Sequence, residues 1–149
     1  MTPFVTAGGA FLFTILYADL MFDVQMLAHR GHEPPEHVLA SIAAYYRRVT
    51  VSARPLNRFV VVVMAATLAA IVVQLAGDDT PTWVGWTSLA LAGAPIALAG
   101  IHTFPNAVRL AGRADPPEIQ ARLARSICTD HLFCAVAITS LLAIQLAFA

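Results

Sequence analysis

The chain has no lysine, only two cysteines and few charges of any kind: 12% of its 149 residues are charged, against 58% apolar ones. That shortage excludes an ordinary soluble domain, because so little polar surface cannot cover a water-facing molecule of this size. The scarcity of cysteine excludes a disulfide scaffold. Cys128 and Cys134 stand six apart without CxxC spacing, so they make no zinc site and read as thiols. No cleaved signal peptide is expected either. The first apolar run lacks a basic leader, exceeds the apolar region of such a peptide and ends without a small-residue cleavage pattern.

What the chain has instead is long apolar sequence. Four stretches, roughly 5–28, 59–75, 83–101 and 127–148, match the ~20 residues needed to cross a hydrocarbon core. Lipid offers the backbone no hydrogen bonds, so these stretches must be helical. The expected fold is a single all-α domain over residues 1–149, an integral membrane four-helix bundle.

Formal net charge is zero, but the charges are unevenly placed. Arg30, Arg47, Arg48, Arg54 and Arg58 follow the first span; Arg109, Arg113, Arg122 and Arg125 follow the third; the remaining connection carries Asp78 and Asp79. Short arginine-rich loops stay in the cytoplasm, so a multi-pass cell-membrane protein with both termini outside is expected. Topology also accounts for the arginines without a nucleic-acid partner.

Both arginine-rich connections contain an acid-Pro-Pro-Glu sequence, Glu33-Pro34-Pro35-Glu36 and Asp115-Pro116-Pro117-Glu118. Proline in a first turn and acids near the positive end of the dipole open helices. Amphipathic cytoplasmic helices are therefore expected over 35–54 and 117–126, the second running into the fourth span. The repeated order raises two tandem hairpins related by an axis along the membrane normal.

Polar side chains inside the spans carry the functional information, since an ionised group at mid-bilayer costs at least ~2.5 kcal/mol without a partner or cavity. Asp19 and Asp23, four apart, share a face of the first helix, at depths of roughly 13 and 7 Å from its inner end. His102 and Asn106 near the cytoplasmic end of the third helix and Asp130 and His131 just inside the fourth span lie at a similar level. One inward-facing pocket is expected. It could bind a divalent metal through Asp23, His102 and His131, relay protons, or perform acid–base chemistry on a lipophilic molecule. Alternatively, Asp19 and Asp23 pair with Arg47, Arg48, Arg58 or His131 and hold the bundle together. The Tyr45-Tyr46-Arg47-Arg48 segment reads equally as an interface anchor or a headgroup grip, and His29, His32 and His37 as a solvated loop. Gln74 and Gln145 are the main polar groups of the outer half, where Trp83 and Trp86 read as interfacial anchors. Gly8, Gly9, Gly93 and Gly100 read as helix-packing positions.

The stretch from Tyr46-Arg47-Arg48 to Pro55-Leu56-Asn57, with Phe104-Pro105-Asn106-Ala107-Val108-Arg109-Leu110, resembles a family of small four-span bacterial membrane proteins of unknown function that includes anthrone-oxygenase-like proteins of polyketide pathways. The resemblance implies the same fold. It also implies cofactor-independent or metal-assisted oxidation of a flat hydrophobic substrate, with Asn106 at the position matching the family's Pro-Asn motif. Where that family often has a tryptophan, this chain has Cys128-Thr129-Asp130-His131. Three functions follow as expectations. In an oxidoreductase, His131 is base or ligand, Asp19 and Asp23 orient it, and His102, Asn106 and Tyr46 hold the substrate. A non-catalytic accessory subunit would have its carboxylates saturated by arginines and associate with itself or a membrane complex, and a proton- or ion-coupled transporter would use the two-hairpin symmetry.

Overall fold

A computed structural model describes the whole chain except Arg30, Gly31, Asp78, Asp79 and the side chain of Arg54, so the loop charges of these residues lie outside the described part. The described residues are helical and contain no strand: α1 (Thr2–Asp23), α2 (Glu36–Tyr46), α3 (Arg54–Ala76), α4 (Thr82–Leu98), α5 (Phe104–Gly112) and α6 (Pro117–Phe148). A 3-10 segment, Val24–His29, prolongs α1, and a π-helical turn, Ala99–Thr103, joins α4 to α5 without a break. Four continuous helical stretches are long and apolar enough to cross a membrane: Thr2–His29, Pro55–Ala76, Thr82–Gly112 and Pro117–Phe148.

The helices outrun the apolar stretches seen in the sequence. The third continues past residue 101 to Gly112, and α6 is one 32-residue rod about 48 Å long at 1.5 Å per residue. Both acid-Pro-Pro-Glu sequences open helices, α2 after Pro35 and α6 after Pro116. The helix expected over 35–54 keeps its regular form only to Tyr46, passes through a π turn at Arg47–Ser52, and stops at Ala53. Pro55, which cannot donate a backbone hydrogen bond, then sits in the first turn of α3.

The four long helices form an up-and-down ring in the order α1, α3, α4, α6, with α6 closing back on α1. Small residues permit the close approaches. A Cβ on Gly8 of α1 would lie 2.1 Å from Thr67 Oγ1 of α3, and one on Gly85 of α4 would lie 2.5 Å from Leu75 Cδ1. Contacts at one end join Gln74 to Thr2 and Gln145, and Trp83 to Phe148, so the start of α1 and the end of α6 share that end. The middle is filled by Val5, Ile71, Ala92, Ile138 and Leu141. Phe4, Ile101, Val136 and Leu146, each more than two-thirds exposed, point away from the ring, as a lipid-facing surface requires.

At the arginine-bearing end the bundle carries a helical cap. There α2 lies across α5 and the first turns of α6, burying Val38, Leu39, Ile42 and Tyr46 against Leu110, Ala124 and Ile127. The link from α5 to α6 turns at Arg113, which has φ 54°. That left-handed conformation costs a residue with a Cβ about 1–2 kcal/mol. Ion pairing of Arg113 with Glu36 ties the turn to the start of α2.

One further clasp braces this link. Arg109 donates two hydrogen bonds to Asp115, both 2.8 Å. These bonds hold the Asp115 carboxyl below its ordinary range. A carboxyl depressed in the fold contributes stability above its unfolded pKa of ~3.9 and loses that contribution as pH falls through the lower folded value. The clasp is thus closed throughout the neutral range. Carbon-detected NMR of the Asp115 carboxyl should show a midpoint below ~3.9 that returns to it in Arg109→Gln; identical midpoints would mean the pair contributes nothing.

Candidate functional site

The side chains expected to meet do so in two networks where the cap joins the bundle. The first is buried. Asp19 and Asp23, one helical turn apart on α1, point towards α2 and α6. Tyr46, fully buried at the end of α2, donates its hydroxyl to both oxygens of Asp23, at 2.7 and 2.8 Å. His131 of α6 approaches the same carboxylate with Nδ1 2.6 Å from Oδ2, and its other nitrogen faces Asp19 Oδ2 at 3.7 Å. Tyr45 donates to Asp19 Oδ1 at 2.6 Å while its ring stacks on Phe22, centroids 4.1 Å apart.

The two phenols are firm donors. Burial, then the charges of Asp23 and Asp19, push the Tyr46 hydroxyl far above its ordinary range, and burial followed by Asp19 does the same for Tyr45. Asp23, itself 0% exposed, therefore has both oxygens engaged by hydrogen-bond donors. The guanidinium partners that Arg47, Arg48 or Arg58 could have supplied are not used; the tyrosines take that place.

The second network lies on the neighbouring face of α6 and is partly open. His102 Nδ1 is 2.8 Å from Asp130 Oδ2, Thr103 donates to the same oxygen at 2.9 Å, and the Asn106 amide nitrogen lies 3.2 Å from His102 Nε2. With the amide donating to Nε2, Nδ1 carries the proton that Asp130 accepts. The π turn makes this possible. Pro105 has no N–H to return to Ile101, and the Phe104 N–H reaches back to Ala99 instead. The widened turn aims consecutive side chains, His102 and Thr103, at one carboxylate. His102 keeps 45% of its side chain exposed, whereas Asp130 keeps 12%.

Asp23, His102 and His131, expected to share a metal, are thus divided: Asp23 is paired with His131, and His102 with Asp130. Among the described residues, no group of three or more His, Cys, Asp or Glu side chains is placed to hold a metal ion. One cavity of about 220 Å³ is lined by Met26, Leu27, Arg125, Cys128, Thr129 and Leu132, and a groove of about 330 Å³ lies between α1 and α3 beside Gly8, Ala66 and Ala70. Neither lining includes Asp19, Asp23, Tyr46 or His131.

Comparison with protein-family models, curated proteins and solved structures returns no match. The chemistry of this chain has to be read from its own side chains.

Sequence reasoning missed three groups that complete the polar structure. Tyr45 was an unassigned partner of Asp19; Thr103 joined no set; and Ser88 lies buried beside Gln145, donating-group to hydroxyl distance 2.8 Å. A signal for Tyr46 was available. Val38, Ile42 and Tyr46 repeat at every fourth position, which puts Tyr46 on the inward stripe of α2, and a buried tyrosine hydroxyl demands a partner.

Proposed function

We propose that this protein is a non-catalytic membrane subunit that associates with itself, and that its Asp19–Asp23–Tyr46–His131 network is a lock holding the cap on the bundle. The observation that carries the reading is the saturation of Asp23, which is wholly buried, hydrogen-bonded on both oxygens and part of neither cavity lining. A reacting molecule needs access to a general base at about hydrogen-bond distance. This site has none to offer. The arginines at the capped end favour a cytoplasmic cap and extracytoplasmic termini, by the preference of short basic loops for the cytoplasm.

Self-association has a candidate surface. Membrane helices associate through small residues that let backbones approach. The groove between α1 and α3 presents Gly8, Ala66, Ala69 and Ala70 outward between Phe4 and Val73. Ala66→Phe and Ala69→Phe fill it with bulk at exposed positions, leaving the interior untouched. In sedimentation analysis in detergent, wild type is expected as a dimer or larger and each variant as a monomer. A monomeric wild type would sink the proposal.

A second reading rests on His102. A half-exposed imidazole oriented through Nδ1 by a carboxylate has the arrangement of a general base. Together with the family resemblance of the Phe104 to Leu110 segment, this supports an oxygenase-type oxidoreductase in which His102 takes a proton from a flat phenolic substrate arriving from the bilayer and dioxygen, as co-substrate, accepts the electrons, with Asn106 as a binding group. The discriminating result is turnover of an anthrone-type phenol by wild type and its loss in His102→Gln with unchanged folding. Absence of turnover leaves the subunit reading in place.

A further inference from the structure

The cavity of about 220 Å³ beside α6 has a composition that neither network explains. Met26, Leu27 and Leu132 give it an apolar wall, Thr129 stands exposed at its rim, and Arg125 supplies a guanidinium. No carboxylate among the described residues forms an ion pair with Arg125. One of its terminal nitrogens donates to the backbone carbonyl of His32, while its buried Nε has no hydrogen-bond partner among the described residues. The guanidinium is part-buried in the cavity lining with no carboxylate beside it, so its charge is left for an anion to complement.

Size and level narrow the choice. The volume is roughly seven times the ~30 Å³ share of one water and falls below the ~300 Å³ of a pocket that engulfs a whole ligand. It suits a headgroup with the first part of a chain. Along α6 the arginines stop at Arg125, and the apolar stretch that matches a hydrocarbon core opens at about residues 127–129. Arg125 then lies within one turn of that opening, at most about 6 Å further at 1.5 Å per residue, at the level of lipid phosphates. Leu132 falls on the acyl side. Arginine matches phosphate by presenting parallel N–H donors.

We infer that the Arg125 cavity is a binding site for a phosphate group at the membrane surface, the phosphate of an anionic lipid whose chain lies along Met26, Leu27 and Leu132. The site is independent of the subunit or enzyme reading, since it shares no side chain with either network.

The test uses the full chain in uncharged detergent, titrated with short-chain phosphatidylglycerol and followed by native mass spectrometry. Wild type is expected to retain one lipid molecule. Arg125→Gln removes the charge and Thr129→Trp blocks the rim from an exposed position; each should weaken retention at least tenfold. Arg125→Lys should keep part of the affinity, and Arg122→Gln, an exposed arginine of the same helix outside the cavity, should keep all of it. Circular dichroism checks each fold, and if Arg125→Gln does not fold, Arg125→Lys and Thr129→Trp still decide. Displacement of the lipid by millimolar inorganic phosphate would assign the same site to free phosphate, whereas no displacement assigns it to lipid. Equal retention by wild type, Arg125→Gln and Thr129→Trp, or an equal loss in Arg122→Gln, would overturn the inference by reducing binding to general attraction.

Discussion

Replacing Asp23 with alanine is expected to destabilise the protein by about 3–5 kcal/mol, the range seen when one member of a buried charged pair is removed. The deletion strips an acceptor from both the Tyr46 hydroxyl and His131 Nδ1, and neither has water to turn to, since Tyr46 is 2% and His131 8% exposed. If the network acts as a unit, Asp23→Ala combined with His131→Ala should cost clearly less than the two single losses added together, with a coupling of about 1–3 kcal/mol. Reversible unfolding in mixed micelles gives all four corners of the cycle. Additive losses would mean that Asp23 and His131 are neighbours without energetic connection, and the lock would lose its basis. Tyr46→Phe separates the phenol from the imidazole: it removes one donor and leaves the Asp23–His131 contact at 2.6 Å intact.

The opposite end of the bundle makes a contrasting forecast. Gln145 is 1% exposed; it exchanges amide hydrogen bonds with Gln74 at 3.0 and 3.1 Å and donates to Ser88 at 2.8 Å. Gln145→Leu leaves the Gln74 amide without its buried partner, at a cost of about 1–3 kcal/mol. The double change Gln74→Leu with Gln145→Leu removes both amides together and, among the buried groups left, takes a partner only from the Ser88 hydroxyl, a loss the single change shares, so it should cost less than the single one. Thermal unfolding of the two proteins should therefore rank the double variant above the single one. The reverse ranking would show that the amide ladder, and not the avoidance of orphaned groups, is what stabilises this end.

Much of the fold was legible because lipid leaves a chain few options. Four apolar stretches had to be helices, and prolines after acids marked where α2 and α6 begin. The site was legible only in part. Asp19, Asp23 and His131 were expected to meet, and they do, because carboxylates one turn apart share a face and an embedded charge needs a partner. Their remaining partners were hidden by composition. Tyr45 and Tyr46 stand next to Arg47 and Arg48, and that setting reads as a membrane surface; the fourfold spacing of Val38, Ile42 and Tyr46 is the one sign that Tyr46 turns inward, and the packing of α2 across α5 and α6 realises it. The split of His102 from His131 was equally invisible. It depends on the π turn at Ala99–Thr103, a shift of one backbone hydrogen bond that hydrophobic periodicity does not register.

The separation in sequence of the buried partners bears on how the protein is made. Asp23 and His131 lie 108 positions apart. At a synthesis rate of about 5–20 residues per second, the first helix waits roughly 5–20 s after Asp23 is made before its imidazole exists. Tyr45 and Tyr46 follow Asp19 and Asp23 by only 26 and 23 positions, so they are available within a few seconds. The tyrosines are thus made long before the imidazole, but α2 packs on α5 and α6, so the two carboxylates are fully enclosed only once the last helix is in place.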